Sequence, residues 1–104
     1  MSTTEEPKYS LNDIIGMIVP ILSQYDKVDC AFIFGSYAKG DADIKGDLDI
    51  RIDADRMRTL DLCGLMVQLE RSLGIPTDVI PTDSMSSEFL SSIKHHEVLI
   101  YERR

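Results

Sequence analysis

The stretch from Ala31 to Asp49, AFIFGSYAKGDADIKGDLD, limits what this chain can become. An apolar run ends at Gly35-Ser36, and two carboxylates, Asp47 and Asp49, follow two residues apart. Side chains of a strand alternate between its two faces. A strand over Asp47 to Asp53 therefore turns both carboxylates to one side and Leu48, Ile50 and Ile52 to the other. Two carboxylates side by side repel unless a cation lies between them. A divalent cation that prefers oxygen ligands suits that position. Gly35-Ser36 can offer a backbone N–H and a hydroxyl to phosphate oxygens. Metal and phosphate handling within one short stretch points to phosphoryl or nucleotidyl transfer.

The remaining segments fit around this pair. Residues 1–8 read as a frayed tail, and 9–104 as one domain. Ser10 and Asp13 are spaced as a capping box. Leu11, Ile15, Ile18 and Leu22 then recur at helical spacing, widened by Ile14 and Ile21, with a kink expected at Pro20. Val28 to Phe34 is a buried strand, because its apolar residues run nearly unbroken. Tyr37 to Gly46, rich in Gly and Asp, reads as a loop, and Asp47 to Asp53 as the second strand. A helix from about Thr59 carries the stripe Leu62, Met66, Leu69 and Leu73, and stops at Gly74 before Pro76. Thr77 to Ile80 is a short third strand. Ser86 or Ser87 caps a helix that buries Phe89, Leu90 and Ile93. Val98 to Tyr101 is a last strand, at the sheet edge. The order α-β-β-α-β-α-β predicts a two-layer α/β domain with a mixed sheet. The first two strands should be antiparallel, because no helix joins them. The helix after Asp53 permits a parallel pairing with the third strand.

At 104 residues the chain can bury one modest core. Its 18 acidic against 11 basic residues give a net charge of −7. That balance lacks the electrostatic footprint of a protein that grips nucleic acid by itself, so no direct nucleic-acid partner is expected. A polyanionic substrate fits only if a metal supplies positive charge. No apolar run approaches a membrane span, and the polar, acidic start is unlike a secretory signal. Cys30 and Cys63 stand in apolar surroundings and read as reduced core residues of a cytoplasmic protein.

Gly35-Ser36-Tyr37-Ala38-Lys39-Gly40 followed by Asp47-Leu48-Asp49 resembles the signature of the DNA-polymerase-β-type nucleotidyltransferases, GSxARGxxxxxSDxD. Size and element order resemble its minimal nucleotidyltransferase group, the antitoxins of HEPN/MNT toxin–antitoxin pairs. Lys39 stands where the pattern has Arg, which keeps the charge but loses the bidentate fork. Gly46 stands where it has Ser. Neither change removes a metal ligand. The family carries a third carboxylate on a later strand, and Asp78 in Thr77-Asp78-Val79-Ile80 occupies that place. The resemblance implies Asp47, Asp49 and Asp78 as catalytic residues and ligands of Mg²⁺, two ions in all. It also implies nucleotide contacts at Gly35, Ser36 and Lys39. Two-metal sites, with ions about 3.5–4 Å apart, clamp the attacking and leaving oxygens of an in-line displacement. One metal pair needs all three carboxylates, so Asp78 must lie beside Asp49 although 29 residues separate them in sequence.

Other residues invite chemistry and have plainer readings. Asp41, Asp43, Asp53 and Asp55 read as solvated charges, and Lys39 by itself as a solvated loop residue. Tyr37 reads as packing on its loop. His95-His96 are adjacent on a short helix and point apart, so they read as surface or helix-end residues and not as a metal pair. The resemblance implies transfer of AMP from ATP to a hydroxyl, a tyrosine of a cognate HEPN toxin, by an antitoxin. Two alternatives stay open: a binding-only antitoxin that works by occlusion, and a transferase for a small acceptor such as an aminoglycoside or for an RNA end. The sequence leaves a homo-oligomer open.

Overall fold

The computed structural model describes residues 8–42 and 46–103. The tail expected over residues 1–8 lies, apart from Lys8, outside the described residues, as does Asp43. The elements are α1 (Leu11–Leu22), β1 (Val28–Phe34), α2 (Ser36–Lys39), β2 (Leu48–Ala54), α3 (Thr59–Leu73), β3 (Thr77–Pro81), a 3-10 turn (Thr82–Ser84), α4 (Ser87–Ile93) and β4 (Val98–Glu102).

The strands form one mixed sheet in the order β3-β2-β1-β4. β1 pairs antiparallel with β2 and with β4, and β2 pairs parallel with β3 through the α3 crossover. The expected pairings are thus met, and β4 lies at the edge. One sheet face carries the core. Ala31, Ile33, Leu48, Ile50 and Ile52 are fully buried there with Ile14, Ile18 and Leu22 of α1 and Leu65, Leu69 and Leu73 of α3. The other face carries Phe32 and Phe34 opposite Arg51 and Asp49, their strand partners.

Helix ends form where the residues specify them. Ser10 accepts from the Asp13 N–H while Asp13 accepts from the Ser10 N–H, closing the capping box. Pro20 lies two residues from the end of α1, so the missing bond to the Gly16 carbonyl falls in the last turn and the helix runs on to Leu22. Gly74, left-handed at φ 71°, ends α3.

Four expectations are corrected. The segment after Gly35 is not all loop: Ser36–Lys39 makes one helical turn, whose Ser36 carbonyl accepts from both Gly40 and Asp41. The buried stripe of α3 runs through Leu65, with Leu62 and Met66 only partly covered. That phase leaves Cys63 exposed on the outer side of the helix. Cys30 is half-buried, and neither cysteine forms a disulfide. In α4 Ile93 is buried but Phe89 is 42% exposed.

Candidate functional site

The site is assembled where β1 ends and β2 and β3 begin. Asp49 is the second residue of β2, and its direct partner on β3 is Asp78. Partners in a parallel pair share a face, so the two carboxylates sit side by side. Asp47 precedes β2 and is not its first residue, because the strand opens at Leu48, whose N–H donates to the Pro76 carbonyl. Asp47 and Asp78 are exposed and Asp49 is half-buried. Burial raises the pKa of the Asp49 carboxyl above 3.8, and the charges of Asp78 and Asp47 raise it further. Asp49 is therefore close enough to Asp78 and to Asp47 to sense both charges.

Gly35 closes the site on the β1 side. Phe34 is the strand partner of Asp49, so the chain passes the Asp49 carboxylate as it turns at Gly35. Gly35 has φ 77°, and a Cβ added there would collide with Asp49 Oδ2. Only glycine allows both the left-handed turn and this approach. Ser36 is the first residue of α2 and half-buried; Lys39, its last, is exposed. A helix start leaves N–H groups without helical acceptors, and Gly35-Ser36 brings them beside Asp49. Tyr37 is 5% exposed and belongs to the core, which bears out its packing role.

The donor set is hard oxygen on carboxylates with raised mutual repulsion, which matches a divalent cation such as Mg²⁺. Among the described residues no three His, Cys, Asp or Glu side chains form a ready metal cage. The three-carboxylate ligand set expected for Asp47, Asp49 and Asp78 is thus not found as a preformed cage, and Mg²⁺ here would need waters and substrate phosphates to complete its shell.

A second polar cluster, not anticipated in the sequence, lies further along the same face. Arg51 is 8% exposed. It donates to Glu97 through Nε (3.1 Å) and Nη2 (2.8 Å), and to Thr82 through Nη1 at 3.0 Å. Its guanidinium lies 3.9 Å from the Phe32 ring centroid. Asp53 accepts from Thr82 at 2.5 Å and faces Arg51, while its side chain stays 43% exposed, so the strand-end charge is solvated and also partnered. Asp41 and Asp55 are exposed, as expected. His95 and His96 follow α4; His95 is exposed, while the Nε2 atom of His96 is buried without a hydrogen-bond partner. The alternation of β2 placed Arg51 on the acid face, but Glu97 lies 46 residues away, and no local pattern announces that pairing.

Comparison with known proteins identifies the architecture. The family model described as "Polymerase beta, Nucleotidyltransferase" matches residues 17–104. The chain belongs to this nucleotidyltransferase family. A protein of Methanocaldococcus jannaschii named "Putative protein adenylyltransferase" is 36% identical over 77 residues, covering 73% of this chain and 82% of its own. The fold is that of a toxin–antitoxin crystal structure with AMP-PNP (TM-score 0.76, 21% identity, 86% of this chain and 74% of that one). It is also that of a tri-AMPylated Shewanella oneidensis HEPN toxin in complex with its MNT antitoxin (0.71, 19%, 88% and 72%). A minimal nucleotidyltransferase structure matches as well (0.71, 22%, 85% and 90%). The mixed sheet packed with helices is thus the minimal nucleotidyltransferase fold.

Clustered acids carry a stability signature of their own. A carboxyl whose folded pKa is raised binds more protons folded than unfolded between its ordinary and its raised pKa. Stability therefore falls as pH rises from about 3.8 through the raised value of Asp49. Without divalent metal, Asp49→Asn should melt a few degrees higher than wild type at neutral pH and lose that advantage at low pH. Mg²⁺ should raise the wild-type midpoint, and Mg²⁺ with ATP should raise it more, because ligands of the native state stabilise by mass action. Melting curves in EDTA, Mg²⁺ and Mg²⁺-ATP read both effects. An unchanged wild-type midpoint at saturating ligand would count against a nucleotide site here.

Proposed function

We propose that residues 9–104 form a minimal nucleotidyltransferase domain that moves AMP from ATP to a hydroxyl. The acceptor is a tyrosine of a cognate HEPN toxin, and the transfer silences that toxin. The observation that carries this reading is the pairing of Asp49 with Asp78 across β2 and β3, beside Gly35. The relative's name and the solved toxin–antitoxin complexes support the choice of nucleotide and partner. The absence of a membrane-length apolar helix among the described residues is compatible with a cytoplasmic setting for both.

In this reading Asp47 and Asp49 would hold Mg²⁺ together with the triphosphate, and Asp78 would join them as ligand. Bound divalent cations would neutralise the phosphate charge and activate the acceptor oxygen. Ser36 and the N–H groups at the start of α2 hold phosphate oxygens, with Lys39 adding positive charge. Asp78 takes the proton of the acceptor hydroxyl as its oxygen bonds to the α-phosphorus. The bond from the α-phosphorus to the bridging oxygen breaks, and pyrophosphate leaves. Label at the α-phosphate of ATP should therefore appear on the acceptor and label at the γ-phosphate should not. Acceptor labelling from the γ-position would overturn the assignment.

Ser36→Ala should slow transfer by about two orders of magnitude with little change in melting. A hydrogen bond to a charged group made in the transition state is worth about 2–3 kcal/mol. If Ser36 serves only its turn, the variant would melt early and keep its rate per folded molecule.

A further inference from the structure

An exposed phenylalanine is ordinary by itself, because much of any protein surface is apolar. Phe89 is set apart by its place. It is 42% exposed although the same helix buries Ile93. Its ring meets that of Phe34 edge to face, with centroids 5.7 Å apart and planes at 81°. Phe34 is 5% exposed, so it supports Phe89 from beneath and cannot itself receive a ligand. Phe34 is also the strand partner of Asp49 and the residue before Gly35. A partly exposed ring is thus braced by the buried ring of Asp49's strand partner.

Direction across the sheet indicates what it would meet. Asp49 has Asp78 as its neighbour on the β3 side and Phe34 as its neighbour on the β1 side. Gly35 and Ser36 continue from β1. Phe89 is therefore on the side of Asp49 where the nucleotide phosphates are held in the reading above, and away from Asp78, where the acceptor hydroxyl enters. We propose that Phe89 is the platform on which the base of the bound nucleotide stacks. The inference rests on nucleotidyl transfer at this site. Every base has a π-face, so a lone ring gives affinity without reading base identity. The aromatic residues nearest Gly35 in sequence, Phe34 and Tyr37, are each 5% exposed, and no Trp occurs in the chain.

The test compares two ligands that share phosphates and differ in the base: Mg²⁺-ATP and Mg²⁺-tripolyphosphate, titrated calorimetrically into the full chain. Phe89→Leu keeps apolar bulk against Phe34 but removes the ring; Phe89→Tyr keeps the ring. Phe89→Leu should weaken ATP by about tenfold, within the range of aromatic–base stacking, and leave tripolyphosphate unchanged. Phe89→Tyr should bind both as wild type does. Unchanged ATP affinity in Phe89→Leu overturns the platform, and so does equal weakening of both ligands, which would mark a structural role. An altered KM for the acceptor with ATP binding intact would assign the ring to the acceptor and overturn it too. A wild-type chain that binds neither ligand would instead overturn nucleotidyl transfer itself.

Discussion

Asp78→Asn should abolish AMP transfer while Mg²⁺-ATP still binds. Asn keeps the size and one oxygen of Asp, and position 78 is exposed, so the fold should be unchanged. The substitution removes a negative charge and the capacity to accept a proton. Loss of a general base costs about 10²–10⁴-fold, and the rate should fall at least that far. Binding should persist through Asp47 and Asp49. Asp49→Asn should behave differently, losing much of the metal response along with the rate, because Asp49 is the carboxylate that senses both of the others. Affinity for Mg²⁺-ATP and the rate of transfer, measured on both variants, separate the roles. Wild-type transfer by Asp78→Asn would remove it from the mechanism, as would equal loss of binding and rate in both variants.

Gly35→Ala should be the most damaging substitution that touches no charged group. A left-handed backbone costs a residue with a Cβ about 1 kcal/mol or more relative to glycine. Here the added methyl would also overlap Asp49 Oδ2. Either β1 and β2 separate at this end, or Asp49 turns away from Asp78. The first outcome lowers the melting midpoint by roughly 4–8 °C for each kcal/mol lost in a domain of this size. The second removes the rise in midpoint with Mg²⁺-ATP. Gly40→Ala is the control, because Gly40 has a similar φ of 83° but open space around its Cβ position. It should cost some stability and leave the nucleotide response intact. Equal behaviour of the two variants would mean that Asp49 does not depend on the close approach at Gly35.

The strands and their directions were legible because their signals are local. Val28–Phe34 is an apolar run, and the acids of the second strand alternate with Leu48, Ile50 and Ile52. Loop lengths then allowed antiparallel pairing for the first two strands and parallel pairing for the third. The acids were legible because Asp47 and Asp49 carry the family motif, and Asp49 pairs with Asp78 because each is the second residue of its strand in a parallel pair that starts at Leu48 and Thr77. Helix α2 was missed because a single turn has no periodicity; its glycines read as loop, yet Gly35 starts the turn and Gly40 closes it. The phase of α3 was shifted because Leu60, Leu62, Leu65, Met66, Leu69 and Leu73 admit two apolar stripes. Only packing against α1 selects Leu65, which sends Cys63 to the outside. The Arg51–Glu97–Thr82–Asp53 cluster and the exposure of Phe89 were hidden because both depend on where α4 and the segment after it come to lie, which no segment of sequence encodes alone.

The claim that the partner is silenced by modification meets its most direct test in the intact mass of that partner. A cognate HEPN protein coproduced with this chain should be heavier by one or more whole AMP units on tyrosine. Coproduced with Asp49→Asn, it should have its unmodified mass and keep its toxicity. An unmodified partner that is nevertheless neutralised by the wild-type chain, and equally by Asp49→Asn, would contradict the account and leave occlusion as the mechanism.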